Sequence, residues 1–282
     1  MLKGFSSLSP RTKEDVPRET SDLRKALGII LPIFVFRFLD IIIVSFGAAY
    51  TKYATDHGVM NRAFVGANSQ LITVIIKVVA LYVATGSVIS MFLSEKPRLF
   101  IKRAPIRWYV LSVLLGISGA LFVNQIFYRL GLLGQSTSYS AIAAKQFALS
   151  ASLGVLVYGL LTPLAEEILY RGIVYNRVRR NFNLILAFIF SALVFGIMHG
   201  NMVQAVYGSI LGLLIAWVYE RFGGFIFPYL IHASANTCIY LLMQTEDFKM
   251  MMMSNLSIVL TGISLIIVIC LIWFEKELKA DK

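Results

Sequence analysis

Apolar runs of roughly span length recur along the chain near 26–49, 69–93, 106–128, 150–176, 183–200, 203–220, 225–244 and 256–274. A hydrocarbon layer about 30 Å thick is crossed by roughly 20 apolar residues in helical form, so each run predicts a membrane-spanning helix. The fold class expected is therefore all-α, a polytopic membrane protein with about eight transmembrane helices. A single membrane domain, 26–274, sits between a polar tail at 1–25 and a short tail at 275–282. The first 25 residues lack the short apolar core and small-residue cleavage site of a secretory signal, which predicts that the first run is retained as a span. The segment Gln135–Leu149 is less apolar and holds Lys145 and Gln146, a pattern that predicts an interfacial helix leading into the fourth span. The run Met250–Met253 reads as an outer loop.

Composition agrees with this picture: 58% of the residues are hydrophobic and 15% charged, with mean hydropathy +0.76. Soluble domains carry about 45–50% apolar and about 25% charged residues. A formal charge of +11 suggests nucleic acid at first sight, but the basic residues cluster beside apolar spans, as in loops facing anionic lipid. The expected partner is the lipid bilayer, not nucleic acid. With the N-terminus in the cytoplasm, 19 of the 26 Lys and Arg fall on inside segments. Lys52, Arg62, Arg129, Lys145 and Lys249 fall outside, and Arg37 and Lys77 fall within spans. That asymmetry follows the positive-inside rule and requires an even number of spans, so both tails are predicted to be cytoplasmic in a plasma-membrane protein. Cys238 and Cys270 both lie in apolar runs and build neither a disulfide framework nor a cysteine metal site.

Polar groups inside the spans carry the chemistry. A charge at mid-membrane costs about 2.5–3.5 kcal/mol on insertion scales, so each one asks for a reason. Arg37 and Asp40 share a helix face three residues apart and are placed to pair. Lys77 either snorkels or joins Asp40. Near the end of the fourth span, Glu167 and Arg171 stand at i,i+4 with the glutamate N-terminal, the favourable order for a helical ion pair. Glu166, about 100° around the helix, is left without a local cation and is free for general-base or general-acid work; the plain alternative is that both glutamates mark the membrane interface. The fifth span ends Phe195-Gly-Ile-Met-His199, and the seventh carries His232-Ala-Ser-Ala-Asn236, with the latter pair on one helix face. If the fourth helix turns near Phe182, Glu166 lies 16 residues before the turn and His199 17 after it, at nearly equal depth in an antiparallel pair.

Glu-Glu-x-x-x-Arg, then Phe-x-x-x-His, then His-x-x-x-Asn on successive spans resembles the CAAX protease and bacteriocin-processing family of intramembrane peptidases (CPBP, or Abi). The resemblance covers about Leu161–Thr237, within a core of about 150–244, and includes a Tyr-Glu-Arg-x-Gly-Gly turn before the last motif. It implies a CAAX-protease-like bundle with an intramembrane cavity opening toward cytosol and bilayer. It also implies an intramembrane endopeptidase hydrolysing a peptide bond in a membrane-associated peptide or protein. Carried over position by position, Glu166 and His199 activate water, His232 and Asn236 stabilise the oxyanion, and Glu167, Arg171 and Phe195 support the site. Annotations of the family as metalloproteases imply a zinc set of Glu166, His199 and His232, a ligand combination known in catalytic zinc sites. The chain lacks the His-Glu-x-x-His spacing that sets two ligands on one helix, so zinc and metal-free glutamate catalysis both stay open. The compact chain looks like the prokaryotic branch, which implies a bacterial protein acting in peptide maturation or bacteriocin self-immunity.

Two other readings compete. A non-catalytic membrane regulator would bind another membrane protein and tolerate loss of a motif residue. A proton-coupled transporter would spread its ionisable groups along the membrane normal instead of gathering them at one depth.

Overall fold

In a computed structural model, residues 22–275 are described, and among them the chain is helical throughout, with no strand. The predicted tails lie almost wholly outside the described residues. The order is α1 (Asp22–Asp56), α2 (Arg62–Ala67), α3 (Ser69–Ser94), α4 (Ile106–Arg129), α5 (Leu132–Gln135) and α6 (Thr137–Gln146). Then come α7 (Ala151–Asn181), α8 (Leu184–Ile197), α9 (Met202–Phe222), α10 (Ile226–Met243), α11 (Phe248–Met253) and α12 (Asn255–Phe274). Among the described residues, seven helices are long and apolar enough to cross a membrane. The remaining predicted span, 183–200, forms α8, whose 14 residues reach only about 21 Å at 1.5 Å per residue. It falls short of the roughly 30 Å layer, so α8 and α9 form a hairpin whose turn ends beside the interior of the bundle. Large apolar side chains such as Leu260, Ile263 and Ile267 on α12 face outward, which is stable only against lipid.

Local chemistry sets this hairpin. The Asn183 side chain accepts from Leu186 N and starts α8, and Asn201 accepts from Gln204 N and starts α9. Gly200 between them has φ +80°, a left-handed turn that glycine adopts without cost. The two helices touch backbone to backbone: a Cβ on Gly196 would lie 2.2 Å from the Ala205 carbonyl oxygen, and one on Gly212 3.1 Å from Ala192 Cα. The Gly208-x-x-x-Gly212 stripe is thus an internal seam.

One end of the bundle is closed by charge pairs and rings. Glu95 holds Arg177 (2.8 Å) and Arg180 (2.5 Å), and Glu220 accepts from Tyr175 Oη (2.7 Å) and faces Arg179. Trp108 stacks on Phe222 at 4.3 Å, Phe227 meets both edge-on, and Phe92 packs on Phe225. The connection between α3 and α4 is stitched to the start of α10 by Phe225 N donating to Arg98 O (2.8 Å) and Ile226 N to Leu99 O (3.1 Å).

Candidate active site

Helix α7 carries the glutamates on a short stretch, Thr162–Glu167, between two wider π-helical stretches, Val155–Leu161 and Ile168–Tyr175. Such insertions re-aim neighbouring side chains and recur at functional sites. Pro163 has no N–H to continue the ladder across the junction. The two glutamates consequently meet different surroundings.

Glu167 is fully buried, 0% exposed, as is Arg171. Its Oε1 accepts from Arg171 Nη1 and from His232 Nδ1, each at 2.8 Å. Arg171 Nη2 also donates to Gly212 O at 3.1 Å, which ties the pair to α9. The i,i+4 ion pair read from the sequence is present, but it is an interior anchor, not an interfacial one. Because a carboxylate accepts, His232 Nδ1 carries the proton, and its Nε2 faces Glu166 Oε2 at 3.7 Å. That separation is longer than a hydrogen bond.

His199 closes α8 with its Nδ1 at 2.8 Å from the Phe195 carbonyl oxygen. A carbonyl only accepts, so Nδ1 holds a proton, and in the neutral imidazole Nε2 is then the nitrogen with the lone pair. Phe195 packs edge-on against both imidazoles, with centroids 5.0 Å from His199 and 5.2 Å from His232. The Arg171 guanidinium lies 4.8 Å over the same ring. One aromatic side chain therefore spaces all three groups. Asn236, one turn beyond His232, donates Nδ2–H to Tyr158 O at 3.1 Å, which leaves its second amide hydrogen for another acceptor.

Glu166, His199 and Asn236 line one cavity of 280 Å³, room for several waters at about 30 Å³ each. His232 is 3% exposed and does not reach the wall, standing behind Glu166. Among the described residues, no three His, Cys, Asp or Glu side chains converge closely enough to hold a metal ion. Glu166, His199 and His232 do not form such a group in this arrangement.

The same wall holds groups that the sequence marked as costly without joining them to the site. Lys77 Nζ meets Asp40 Oδ1 at 2.7 Å and Arg37 Nη1 meets Asp40 Oδ2 at 3.6 Å, and all three residues line the cavity. Both pairings expected for Asp40 thus exist together. Arg37 Nη2 donates to Met198 O at 2.5 Å, gripping the residue before His199. Asn124, whose Nδ2 donates to Tyr207 Oη at 3.0 Å, also lines it. Reading the sequence missed Asn124 and Tyr207; the signal was the Asn124-Gln125 pair inside an apolar span. Gln125 serves another purpose, since it binds Ser257 (2.6 Å) and Thr261 (2.7 Å) and fastens α12 to α4.

The cavity extends from Glu166 toward α5 and α6, which supply Leu133, Tyr139, Ile142, Ala143 and Gln146 to its lining. Among the described residues, none of the connection 95–105 or of the turns at 182–183 and 223–225 lines it. The packed charges and rings occupy that end of the bundle, and the cavity lies toward the other, beside α5 and α6.

Residues 148–238 match the family model described as Type II CAAX prenyl endopeptidase Rce1-like, a stretch that contains every residue of the three motifs. The chain is 27% identical over 147 residues to "Putative membrane peptidase YdiL" of Bacillus subtilis (strain 168), covering 49% of this chain and 59% of that protein. It is 31% identical over 81 residues to "UPF0177 protein YxdF" of Lactococcus lactis subsp. lactis (strain IL1403), covering 28% of this chain and 44% of that one. The matched region thus spans about half the length of these relatives. No solved structure matches. The resemblance to CAAX-type membrane peptidases, read from the motifs, is borne out by these matches.

Proposed function

We propose that this chain, similar over residues 148–238 to the CAAX prenyl endopeptidases, hydrolyses a peptide bond in a membrane-associated peptide or protein. The observation that carries the reading is the meeting of Glu166, His199 and Asn236 on one cavity wall inside a bundle of spanning helices. Glu166 accepts a proton from a water that His199 Nε2 orients, and the water oxygen attacks the scissile carbonyl carbon. The free amide hydrogen of Asn236 meets the oxyanion, an interaction worth about 2.7–4 kcal/mol in a pre-organised site. The carboxyl of Glu166 then returns the proton to the leaving amine as the C–N bond breaks. His232, which the resemblance assigns to the oxyanion, sits behind Glu166 in this conformation, with Nδ1 on Glu167 and Nε2 3.7 Å from Glu166 Oε2. The mechanism needs no metal. Peptide maturation and bacteriocin self-immunity are roles consistent with such a site.

The test uses purified protein in liposomes with a mixture of membrane peptides, and new N-termini are read by mass spectrometry. The wild type is expected to generate new termini that persist in 1,10-phenanthroline, whereas His199→Ala generates none. Equal cleavage by His199→Ala would refute the assignment, and chelator-sensitive cleavage would return a metal to the site. Rescue of a deletion phenotype by His199→Ala would favour a binding protein.

A further inference from the structure

Orientation and cavity position together say which side of the membrane feeds the site. The alternation of helices sets two ends. One end holds the start of α1, the connections α3–α4, α7–α8 and α9–α10, and the end of α12. The opposite end holds the connection from α1 to α3, the segment with α5 and α6, and the segment with α11. The α8–α9 hairpin has both open ends at the first, so its short length does not disturb the alternation.

Charge divides the same way. Of the described Lys and Arg, eleven lie at the first end and five at the second, with Arg37, Lys77 and Arg171 in the interior. Arg171, counted from sequence with the inside segments, is buried on Glu167 and drops out of the topological count. Even so, the first end keeps about twice the basic residues of the second, which also carries Asp56, Glu246 and Asp247. Such an excess marks the cytoplasmic side, and three cations there, Arg177, Arg179 and Arg180, are held by Glu95 and Glu220.

The cavity does not reach that end. Its deep wall is Glu166 and His199 with Arg37 and Asp40 from the middle of α1, and its remaining lining comes from Lys77 on α3, Tyr158 and Thr162 on α7, the last turns of α4, the first turns of α9, the second half of α10 and the α5–α6 segment. Over Thr137–Lys145, the hydrogen bonds of α6 stay within α6 and its own cap. The segment is moored beyond its end instead, where Tyr240 Oη donates to Gln146 O (3.1 Å) and Gln244 Nε2 to Phe147 O (3.1 Å). These bonds hold α6 at its C-terminal end, beside the cavity that it helps to line.

We infer that the site is entered from the membrane face opposite the basic end, so that its substrates are non-cytoplasmic segments: exported peptides, or the outward juxtamembrane stretch of membrane proteins. The substrate class rests on the peptidase reading; the direction of access does not. Ser140 on α6 is exposed and does not line the cavity, while Ala143 and Ile142 line the wall.

The experiment replaces Cys238 and Cys270, the only cysteines, with alanine and adds one cysteine at a time in the full chain. Ser140→Cys, Ala143→Cys, Ile142→Cys and Lys102→Cys are exposed to a charged, membrane-impermeant methanethiosulfonate in intact cells and in inverted vesicles. The expected result is labelling of Ser140→Cys and of either cavity-wall variant in intact cells, and of Lys102→Cys in inverted vesicles alone. The reverse pattern overturns the inference, as does labelling of Ser140→Cys from outside with both wall positions protected from that side. Ala143→Cys and Ile142→Cys serve as each other's check should one fail to insert. Labelling reads access without hydrolysis, so its failure is distinct from a failure of the His199→Ala assay.

Discussion

Glu166→Gln is expected to reduce peptide hydrolysis by about 10²–10⁴-fold, the range associated with removing a general acid–base group, while leaving the melting temperature in detergent within a few degrees of wild type. The amide is isosteric and keeps an oxygen acceptor, but it takes no proton from water. The surroundings predict the small structural cost: among the described residues, the one ion-pair contact of Glu166 is His232 Nε2, at 3.7 Å and longer than a hydrogen bond, and its other side lies on the cavity wall. Single-turnover cleavage and thermal unfolding of the same preparation check both halves. Retained hydrolysis would remove Glu166 from the chemistry, and a large loss of stability would make it a packing residue.

The adjacent glutamate should behave in the opposite way. Glu167→Ala is expected to destabilise the fold by about 3–5 kcal/mol, the usual cost of breaking a buried ion pair by removing one partner. Arg171, wholly buried, would lose its carboxylate partner and keep Gly212 O and the Phe195 ring, and His232 Nδ1–H would lose its acceptor. Thermal unfolding in detergent should show a drop of roughly 10 °C, taking about 2–4 °C per kcal/mol for chains of this order of size. The double variant Glu167→Leu/Arg171→Met removes both charges and should recover part of that loss, since replacing a buried pair by apolar groups is often neutral, yet it should remain inactive because His232 is released. An unchanged melting temperature for Glu167→Ala would mean that water reaches Arg171.

These contrasting outcomes for neighbours in the chain show what had to come from packing. Helical spacing alone predicted the Glu167–Arg171 pair, because i,i+4 contact is a property of the helix itself. That His232 from a helix 65 residues away would share the same oxygen, and thereby turn away from the cavity, depends on how α10 lies against α7.

The sequence by itself determined the elements that follow from local rules. Apolar length dictated the spanning helices, their alternation dictated which connections lie together, and the motif spacing marked the glutamates, histidines and Asn236 as candidate chemistry. Only the tertiary structure decided the short reach of α8, where a glycine seam closes the hairpin before a full crossing. It alone joined Arg37, Asp40, Lys77, Asn124 and Tyr207 to the wall that Glu166 and His199 occupy. It also set the cavity toward α5 and α6. The physical reason is one of range: hydropathy and i,i+4 contacts act within a few residues and are written along the chain, whereas a cavity is the space left between helices. That space is shaped by side-chain volumes from six spanning helices and the α8 turn, and no stretch of sequence contains it.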